Sequence, residues 1–470
     1  MNAFKLTHPQ SLLILPRKGK FDEVSLCLDQ IIKGLRGNMN SIKIDISKWD
    51  ITERVRNQLL EGLQDESHPF ILPLKTIFPE TFPPDANSSV TLLIRSLNEY
   101  SASTNINYKD LSHLHEILSM GLAKRNNAEI PYQSSLNYLI KNGVLTRVDE
   151  INGHISNFEN PGIYRLQHAS LLFKTYSASI LIDPVFIYAG KNDWLGKELL
   201  PLIDAILISH SHGDHFCLTS LLQFPKTTLI IIPYIKKPSI LCPDMAKILR
   251  EIGFTNVIEA SWYSEKIFVG DICISTLPFW GEQPWLNCES PICNFRNQGN
   301  TYLIDMMGTK SWILIDSGTE YNHSMLDLCD YVNNKFGIVD CVLSNLRSFH
   351  WKPKTIDQTG RYLLCFPESL LKKPKLWPEG ELMTFGTNGM RIFLDKLQPR
   401  YFLPYAHWWQ PLEKCSHKVG DKDEYDLLQE IQDSKSSQTN LNTKLVNWNV
   451  GSSARMNNNK LKIKKIFNSH

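Results

Sequence analysis

The chain lacks any strong excess of charge of one sign. Its 50 lysine and arginine residues nearly balance its 48 aspartate and glutamate residues, so the 470 residues carry a formal charge of +2. Proteins that bind nucleic acid or anionic membranes through bulk charge carry a much larger basic excess. We therefore expect no nucleic-acid partner and no membrane partner.

Long apolar runs and paired cysteines are also missing. The longest apolar stretches, such as Leu229 to Ile232, are far shorter than the roughly 20 residues that a membrane-spanning helix needs. The N-terminus has no charged segment followed by an apolar core and a cleavage site. The ten cysteines are scattered without a C-x-x-C pair, which is typical of free or buried thiols in a reducing compartment. We expect a soluble cytoplasmic protein.

One short segment carries most of the chemical information. His210, His212, Asp214 and His215 form an H-x-H-x-D-H motif directly after the apolar run Ala205 to Ile208. Neutral imidazole and carboxylate are ligands that divalent first-row metals prefer. One tight turn cannot wrap all four groups around a single ion, so the motif favours two metals, with the first two histidines on one side. A single-zinc site is the alternative.

The chain divides by pattern into three parts. Residues 1–155 mix helix and strand patterns and predict a smaller α/β accessory domain. Residues 156–450 are rich in strands with interspersed helices, which fits two sheets covered by helices on the outside. Residues 451–470 are rich in Asn and Lys and predict a disordered tail. In the first part, His113 and His115 lie two apart on a predicted helix and face different directions, so we interpret them as structural or exposed.

The metal motif and its surroundings resemble the metallo-β-lactamase superfamily. His168 to Ser170, with a predicted hairpin that ends at Asp183 and Pro184, resemble its opening strands, and Ile208 to His215 resembles its metal motif. The resemblance covers roughly residues 160 to 410 and implies an αββα sandwich with the metals at one edge. It also implies three ligands further downstream, which are a His, a bridging Asp and a final His.

Two of these downstream ligands have clear candidates. Asp316 follows the apolar run Trp312 to Ile315, and a carboxylate there can offer one oxygen to each metal. Asp305, in the same hairpin, is a weaker candidate for that role. For the final His we favour His407, which follows a short apolar strand, over its rival His350.

No histidine is available for the remaining position. The chain has none between His215 and His323, and Glu282 is the one good ligand after the strand predicted at Ile272 to Leu277. The alternative is that Glu282 is a surface carboxylate and that the site has lost one metal. The predicted ligand set has two halves that share Asp316, with His210, His212 and Glu282 in one half and Asp214, His215 and His407 in the other.

A carboxylate in place of an imidazole changes the metal that the site prefers. Three anionic oxygen donors favour iron or manganese over zinc, and they stabilise higher oxidation states because they offset the added positive charge. Zinc has no redox chemistry. The substitution therefore indicates oxygen activation instead of hydrolysis.

With Glu282 in place of the expected histidine, the chain resembles a narrower group of the same fold. This group is the diiron monooxygenases of the chloramphenicol-biosynthesis β-hydroxylase type. The resemblance implies two iron ions that activate O2 with an external electron donor, with Glu282 and Asp316 as catalytic residues. It implies hydroxylation of an amino acid held on a carrier protein of a peptide synthetase in natural-product biosynthesis. It further implies that the N-terminal domain supports a homodimer or docks the carrier.

Other interpretations stay open at this stage. A zinc-dependent hydrolase of a phosphodiester, lactone or thioester would use two zinc ions and a metal-bound hydroxide. A non-catalytic scaffold would bind no stoichiometric metal. His168 could orient a ligand through a hydrogen bond or be purely structural. Four aromatic residues near the ligands either line an apolar substrate pocket or pack the core, and these are Phe279, Trp280, Trp408 and Trp409.

Overall fold

The computed structural model describes the chain in segments, with its longest described stretches in the second half. The described residues are 3–6, 12–17, 89–95, 101–119, 137, 139–148, 158–186, 200–236, 238, 242–282, 296–320, 322–350, 382–406, 424–434, 441–457 and 460–466.

The first part of the chain contributes two small antiparallel sheets and one helix. In chain order the elements are β1 (Ala3–Leu6), β2 (Leu12–Arg17), β3 (Ser89–Arg95), β4 (Ser101–Asn107), α1 (Tyr108–Leu118) and β5 (Leu145–Val148). Strands β2, β3 and β4 form one sheet, and β1 pairs with β5 in the other, where Ala3 faces Val148. This pairing is compatible with the accessory domain predicted for residues 1–155, whose boundaries stay a prediction.

The remaining strands belong to two larger sheets. In chain order they are β6 (Gly162–Arg165), β7 (Leu171–Lys174), β8 (Ser179–Ile182), β9 (Ala205–Leu207), β10 (Leu229–Pro233), β11 (Val257–Ala260), β12 (Ile267–Val269), β13 (Ile272–Pro278), β14 (Asn300–Met306), β15 (Thr309–Ile315), β16 (Cys341–Ser344), β17 (Tyr401–Pro404), β18 (Lys444–Leu445), β19 (Ser452–Asn457) and β20 (Lys460–Lys465). The first sheet has the order β11-β10-β9-β8-β7-β6-β19-β20, and the second the order β12-β13-β14-β15-β16-β17-β18.

Helices cover the outer faces of both sheets. They are α2 (Leu218–Leu221), α3 (Met245–Glu251), α4 (Cys329–Phe336), α5 (Gly386–Leu397) and α6 (Glu424–Asp433), with a 3-10 turn at Met325–Leu328. The Asp244 side chain caps α3, because its Oδ1 accepts from the Lys247 backbone N at 2.9 Å.

Alternation along the short strands explains the layering. In β8, Ile180 and Ile182 pack into the core between the two sheets, whereas Leu181 points to the outer core under α2 and α3. In β9, Leu207 and Ile206 divide in the same way. Strands buried on both faces read as continuous apolar runs, which is how the sequence presents them. A third core lies between the second sheet and α4, α5 and α6. The predicted αββα sandwich is therefore observed.

The prediction of a disordered tail at 451–470 is wrong for the strands at 452–457 and 460–465. Strand β19 pairs with β6 and β20 pairs with β19, so the segment extends the first sheet. Composition misled the prediction, because alternation decides which side chains pack. Ala454 is buried in the central core and Met456 and Leu461 pack against it, while Arg455 and Lys462 point to solvent.

Within the described residues, no helix combines the length and the apolar character that crossing a membrane requires.

Helix α1 ties the first part of the chain to the first sheet. Four of its residues share a buried cluster with Phe224 and Ile252 of the sandwich, and these are Leu111, Leu114, Ile117 and Leu118. The Lys226 Nζ lies 2.9 Å from the Glu116 Oε1 at the same contact. The helix therefore packs on the sandwich as part of its outer layer.

His115 lies in the middle of this contact and is fully buried. Its Nε2 lies 2.7 Å from the Phe224 carbonyl oxygen and its Nδ1 lies 3.3 Å from the Ile252 carbonyl oxygen. Burial lowers the pKa of His115 to about 4, against the opposing effect of the two carbonyls. The structural interpretation of His115 is confirmed, while the side chain of His113 lies outside the described residues.

The buried imidazole predicts a pH-dependent stability. The unfolded chain takes up a proton at His115 near the ordinary pKa, whereas the folded chain resists it, so the free energy of unfolding falls as the pH drops through this range. The expected loss between pH 7 and pH 5 is about 2 kcal/mol from this residue. Urea unfolding at both pH values measures it, and His115→Gln should have a correspondingly smaller pH dependence. An identical dependence in the variant would contradict the assignment.

Candidate metal centre

The candidate ligands meet where the parallel strands of both sheets end. Asp183 follows β8 and His210 follows β9, while Asp316 follows β15 and Asn345 follows β16. The carboxyl ends of parallel strands lie at one edge of a sheet, and ligands of open α/β sheets commonly bind there. The Tyr302 hydroxyl of the second sheet donates to the Ile208 carbonyl at 2.6 Å and so joins the two sheets beside the motif.

Glu282 lies against the first two histidines of the motif. Its Oε2 is 3.2 Å from the His210 Nε2 and 3.0 Å from the His212 Nδ1. All three side chains are buried, and the Glu282 side chain is 8% exposed. The alternative of a surface Glu282 is therefore wrong, and the structure brings together all three members of the predicted half-site.

The other residues of the motif form two overlapping groups beside this one. The His215 Nε2 lies 2.9 Å from the Asp316 Oδ2, and His210, His215 and Asp316 form one compact group of donor atoms. Asp214 and His215 form another with His168, whose Nε2 lies 3.1 Å from the Asp214 Oδ2. Asp316 thus lies next to one histidine of each half, the position that a shared ligand needs.

The buried nitrogen and oxygen atoms of the site are better suited to binding a metal ion than to forming hydrogen bonds with one another. Within the described residues, the His210 Nε2, His215 Nε2 and Glu282 Oε2 are buried without a hydrogen bond of acceptable geometry. Each nevertheless lies about 3 Å from a nitrogen or oxygen atom of another candidate ligand. Buried polar atoms are normally paired, and unpaired ones need an explanation such as an ion. Imidazole nitrogens and carboxylate oxygens that converge in this way can hold divalent metal ions.

The charges in the half-site of Glu282 support each other. Burial would raise the pKa of Glu282, but the adjacent His212 and His210 outweigh it and hold the pKa below its ordinary value. Burial likewise opposes protonation of His212, yet the Glu282 carboxylate raises its pKa. For His210, burial and the nearby His215 lower the pKa. An ionised Glu282 and a neutral His210 are the states that a metal ion requires, and a bound metal would displace the proton that Glu282 favours on His212.

Acidic groups dominate the surroundings of the other half. Burial would lower the pKa of His215, but Asp214, Asp183 and Asp316 together raise it well above its ordinary value. Burial would raise the pKa of Asp214, but His215 and His168 hold it well below its ordinary range. A site with so much negative charge attracts cations.

The backbone is strained at several of the strand ends that carry the site. His168, Asp183, Glu282, Ile315 and Ala406 all have positive φ values, between 42° and 60°. Side-chain-bearing residues seldom adopt this region, and such strain concentrates at functional sites. Between β15 and β16 the register also shifts at Ile313 and Ile315, immediately before Asp316. Irregularities of this kind re-aim a side chain at the end of a strand.

Asp183 has a role that sequence reasoning missed. Its Oδ2 lies 2.8 Å from the His215 Nδ1 and accepts from the Ser209 hydroxyl at 2.6 Å, and its Oδ1 accepts from the Ser209 N at 2.7 Å. A carboxylate on one ring nitrogen fixes the tautomer and points the other nitrogen at the metal. The nearby Tyr405 hydroxyl was also missed; it is buried without a hydrogen-bond partner in the described residues. An Asp after an apolar strand was visible in the sequence, but its partner was not.

The remaining predictions have different outcomes. His407 lies outside the described residues, although the preceding Ala406 donates its backbone N–H to the His168 carbonyl at 3.2 Å. Neither rival belongs to the three donor groups of the described residues, because His350 is exposed and bridges to Leu382, and Asp305 pairs with Lys310 near the far turn of its hairpin.

Of the four aromatic residues near the predicted ligands, two lie within the described residues and two lie outside them. Phe279 is buried and packs against the His210 ring at 5.1 Å between centroids, which supports its core role. Trp280 stacks on His323 at 4.2 Å. Trp408 and Trp409 lie outside the described residues.

Comparison with known proteins supports the fold. Residues 162–266 match a family model described as a beta-lactamase superfamily domain. The crystal structure of CmlA, described as a diiron β-hydroxylase from Streptomyces venezuelae, has a TM-score of 0.57 at 16% identity and covers 99% of both chains. A mutant of the CmlA β-hydroxylase gives the same TM-score and identity, covering 92% of this chain and 97% of that chain. The predicted resemblance to the metallo-β-lactamase superfamily is confirmed for the fold.

A sequence relative covers a smaller part of the chain. The 4-amino-L-phenylalanyl-[CmlP-peptidyl-carrier-protein] 3-hydroxylase of Streptomyces venezuelae is 30% identical over 141 residues. The match covers 29% of this chain and 26% of that relative, so about a quarter of the relative's length is aligned.

The contact between Asp183 and His215 gives a direct prediction. Asp183→Asn places an amide N–H group against the hydrogen-bond donors of Ser209 and His215. We therefore expect the affinity for a divalent metal to fall about 10–100-fold, as is usual when a ligand loses its orienting partner. The positive φ at this position suits Asn, so the fold should survive. Titration with Co(II) against a chelator measures the affinity.

The matched control for this variant is Asp204→Asn. The Asp204 Oδ2 accepts from the Ser179 N at 2.8 Å, at the other end of β8. An equal loss of affinity in both variants would show that the effect is general destabilisation.

Proposed function

We propose that this chain, which has the metallo-β-lactamase fold, is a diiron oxygenase that hydroxylates an amino acid held on a carrier protein. The observation that carries the proposal is the position of Glu282. Its carboxylate lies against His210 and His212, where hydrolases of this fold are expected to place a third imidazole. The proposed ligand set is His210, His212, Asp214, His215, Glu282, Asp316 and His407.

The donor chemistry supports iron over zinc. The proposed set has three carboxylates, Asp214, Glu282 and Asp316, whose hard anionic oxygens suit iron and manganese. Their charge also offsets the extra positive charge of an oxidised metal. Asp316 lies next to both His210 and His215, which supports its role as the shared ligand.

When bound, a diiron centre supplies the redox chemistry of O2 activation, which no side chain of the protein provides. The overall reaction needs O2, two electrons from an external donor and two protons, and it yields one hydroxyl group and one water. The protein contributes geometry. Asp183 holds the His215 ring, and the buried Phe279 packs beside the His210 ring.

The proposal also includes a specific substrate, an amino acid bound to a carrier protein. It is supported by the name of the relative, whose substrate is an amino acid on a peptidyl-carrier protein. The roles proposed for the N-terminal domain, in forming a homodimer or docking the carrier, rest on the sequence resemblance.

Replacing Glu282 tests the proposal at its centre. Protein reconstituted with Fe(II) without oxygen should hold two irons per chain, whereas Glu282→Ala should keep about one and lose O2-dependent turnover, because one half-site loses its carboxylate. Iron analysis and oxygen consumption measure the two effects. Glu259→Ala, an exposed glutamate on β11, is the control.

Glu282→His separates the two chemistries. An imidazole restores a His-rich site, so we expect zinc to bind while oxygen consumption is lost. Unchanged oxygen consumption would refute the redox argument. A wild-type chain that holds only zinc and cleaves a phosphodiester, lactone or thioester would establish the hydrolase instead.

A further inference from the structure

We propose that Arg296 and Asn297 are positioning residues for the half-site of Glu282. Asn297 fixes the ring of His212, and Arg296 together with Glu320 fixes the turn that carries Glu282. The inference rests on the metal site of the proposed function, and it adds neighbours outside the ligand set that build one half of the site.

Asn297 connects two residues of the metal motif. Its side chain is fully buried, with Nδ2 3.0 Å from the His212 Nε2, and its Oδ1 accepts from the Ser211 hydroxyl at 3.0 Å. The other ring nitrogen, the His212 Nδ1, faces Glu282. His212 is therefore held between the carboxylate on one side and Asn297 on the other.

The tautomer of His212 determines what Asn297 must do. An imidazole that gives Nδ1 to a metal carries its proton on Nε2, so that nitrogen needs an acceptor. A half-turn of the Asn297 amide places Oδ1 at the His212 Nε2 and Nδ2 at the Ser211 hydroxyl, which can accept as well as donate. The amide can thus match the metal-binding tautomer without moving the backbone.

Arg296 and Glu320 form a partly buried ion pair beside Glu282. The Arg296 Nη1 lies 2.6 Å from the Glu320 Oε1, and its Nη2 lies 2.8 Å from the Glu320 Oε2. The side chains are only 12% and 11% exposed. Two-point contacts of this kind fix geometry as well as charge. The pair is therefore a rigid element, flanked by Trp262 and Trp280, whose ring centroids lie 5.4 Å and 4.6 Å from the Arg296 guanidinium carbon.

Both partners of the pair bind the backbone of the Glu282 turn. Arg296 Nη2 donates to the Phe279 carbonyl at 2.7 Å, and the Gly281 N donates to the Glu320 Oε2 at 3.2 Å. The turn needs this support because Gly281 has φ +114° and Glu282 has φ +52°. A Cβ at Gly281 would lie 2.6 Å from the Gly318 N, so the turn is also tightly packed.

The two positioning residues are adjacent in the chain, so one segment supports two ligands of the same half-site. The other half relies on separate contacts, such as that between Asp183 and His215. Damage at residues 296 and 297 should therefore weaken one metal and spare the other.

Substitution of Asn297 tests the tautomer argument. Asn297→Asp keeps the shape and supplies only acceptors, so two Co(II) ions per chain should still bind. Asn297→Leu keeps the volume and removes the acceptor, so one of the two ions should bind about 10–100-fold more weakly. Visible absorbance during anaerobic Co(II) titration follows both sites. A role in packing alone predicts the opposite order, because a buried Asp would then be harmful and Leu tolerated.

Substitution of Glu320 tests the ion pair. Glu320→Gln should weaken the same single Co(II) site about 10–100-fold and leave the other unchanged. The control is Glu259→Gln, which removes an exposed pair in which the Arg250 Nη2 lies 3.0 Å from the Glu259 Oε1. Glu320→Asp, which keeps the charge, should recover part of the affinity.

The outcomes separate this inference from the proposed function. If the wild type binds two Co(II) ions and Asn297→Leu and Glu320→Gln bind both with unchanged affinity, the positioning roles are refuted while the dinuclear site stands. A wild type that binds fewer than two ions overturns both. Co(II) binding is independent of O2 turnover, so a failure of the oxygenase assignment alone would leave this result intact.

Discussion

A single buried carboxylate oxygen in contact with two imidazoles is the constraint on which the rest of the site depends. The Glu282 Oε2 approaches the His210 Nε2 and the His212 Nδ1 closely and has no proper hydrogen bond in the described part of the chain. Burying an ionised carboxylate without compensation costs several kcal/mol. A metal ion between these atoms would satisfy all of them at once, which is why we interpret the arrangement as a metal half-site.

The fold brings these groups together by ending β9, β13 and β15 at one edge. Strands β13 and β15 are both antiparallel to β14 and therefore run in the same direction. The strands themselves are ordinary apolar segments, and the special features begin where they stop. There the chain enters the left-handed region at Asp183, at Glu282 and at Ile315, which immediately precedes Asp316. Hydrogen bonds across the sheets hold these turns, as between the Asn300 N and the Ser209 carbonyl at 2.8 Å.

The sequence indicated the site residues that are recognisable by residue type and local position. It missed those whose role depends on contacts with residues far away along the chain. The motif at 210–215 stood out because of its residue types, and Glu282 stood out because no histidine was available near it. Asp183 and Asn297 did not, because their partners, His215 and His212, lie 32 and 85 positions away along the chain. Contacts of this range follow only from the sheet order.

The same distinction explains the error at the end of the chain. Composition indicated disorder for residues 451–470, whereas residues 452–457 and 460–465 are strands, because β19 pairs with β6 and β20 and because small, apolar and basic residues alternate along them. Asp316 lies beside His210 and His215, and its signal was local, an apolar strand followed at once by an acid. Its role as a ligand stays a prediction. The position of His407 stays a prediction, since that residue is not among those described.

The most direct test of the account is anomalous diffraction at the iron edge from crystals of protein grown in iron-supplemented medium. The account predicts two iron peaks, one between His210, His212 and Glu282 and another beside His215, with Asp316 contacting both. A zinc signal in an otherwise intact site, with the Glu282 side chain turned away from it, would contradict the account.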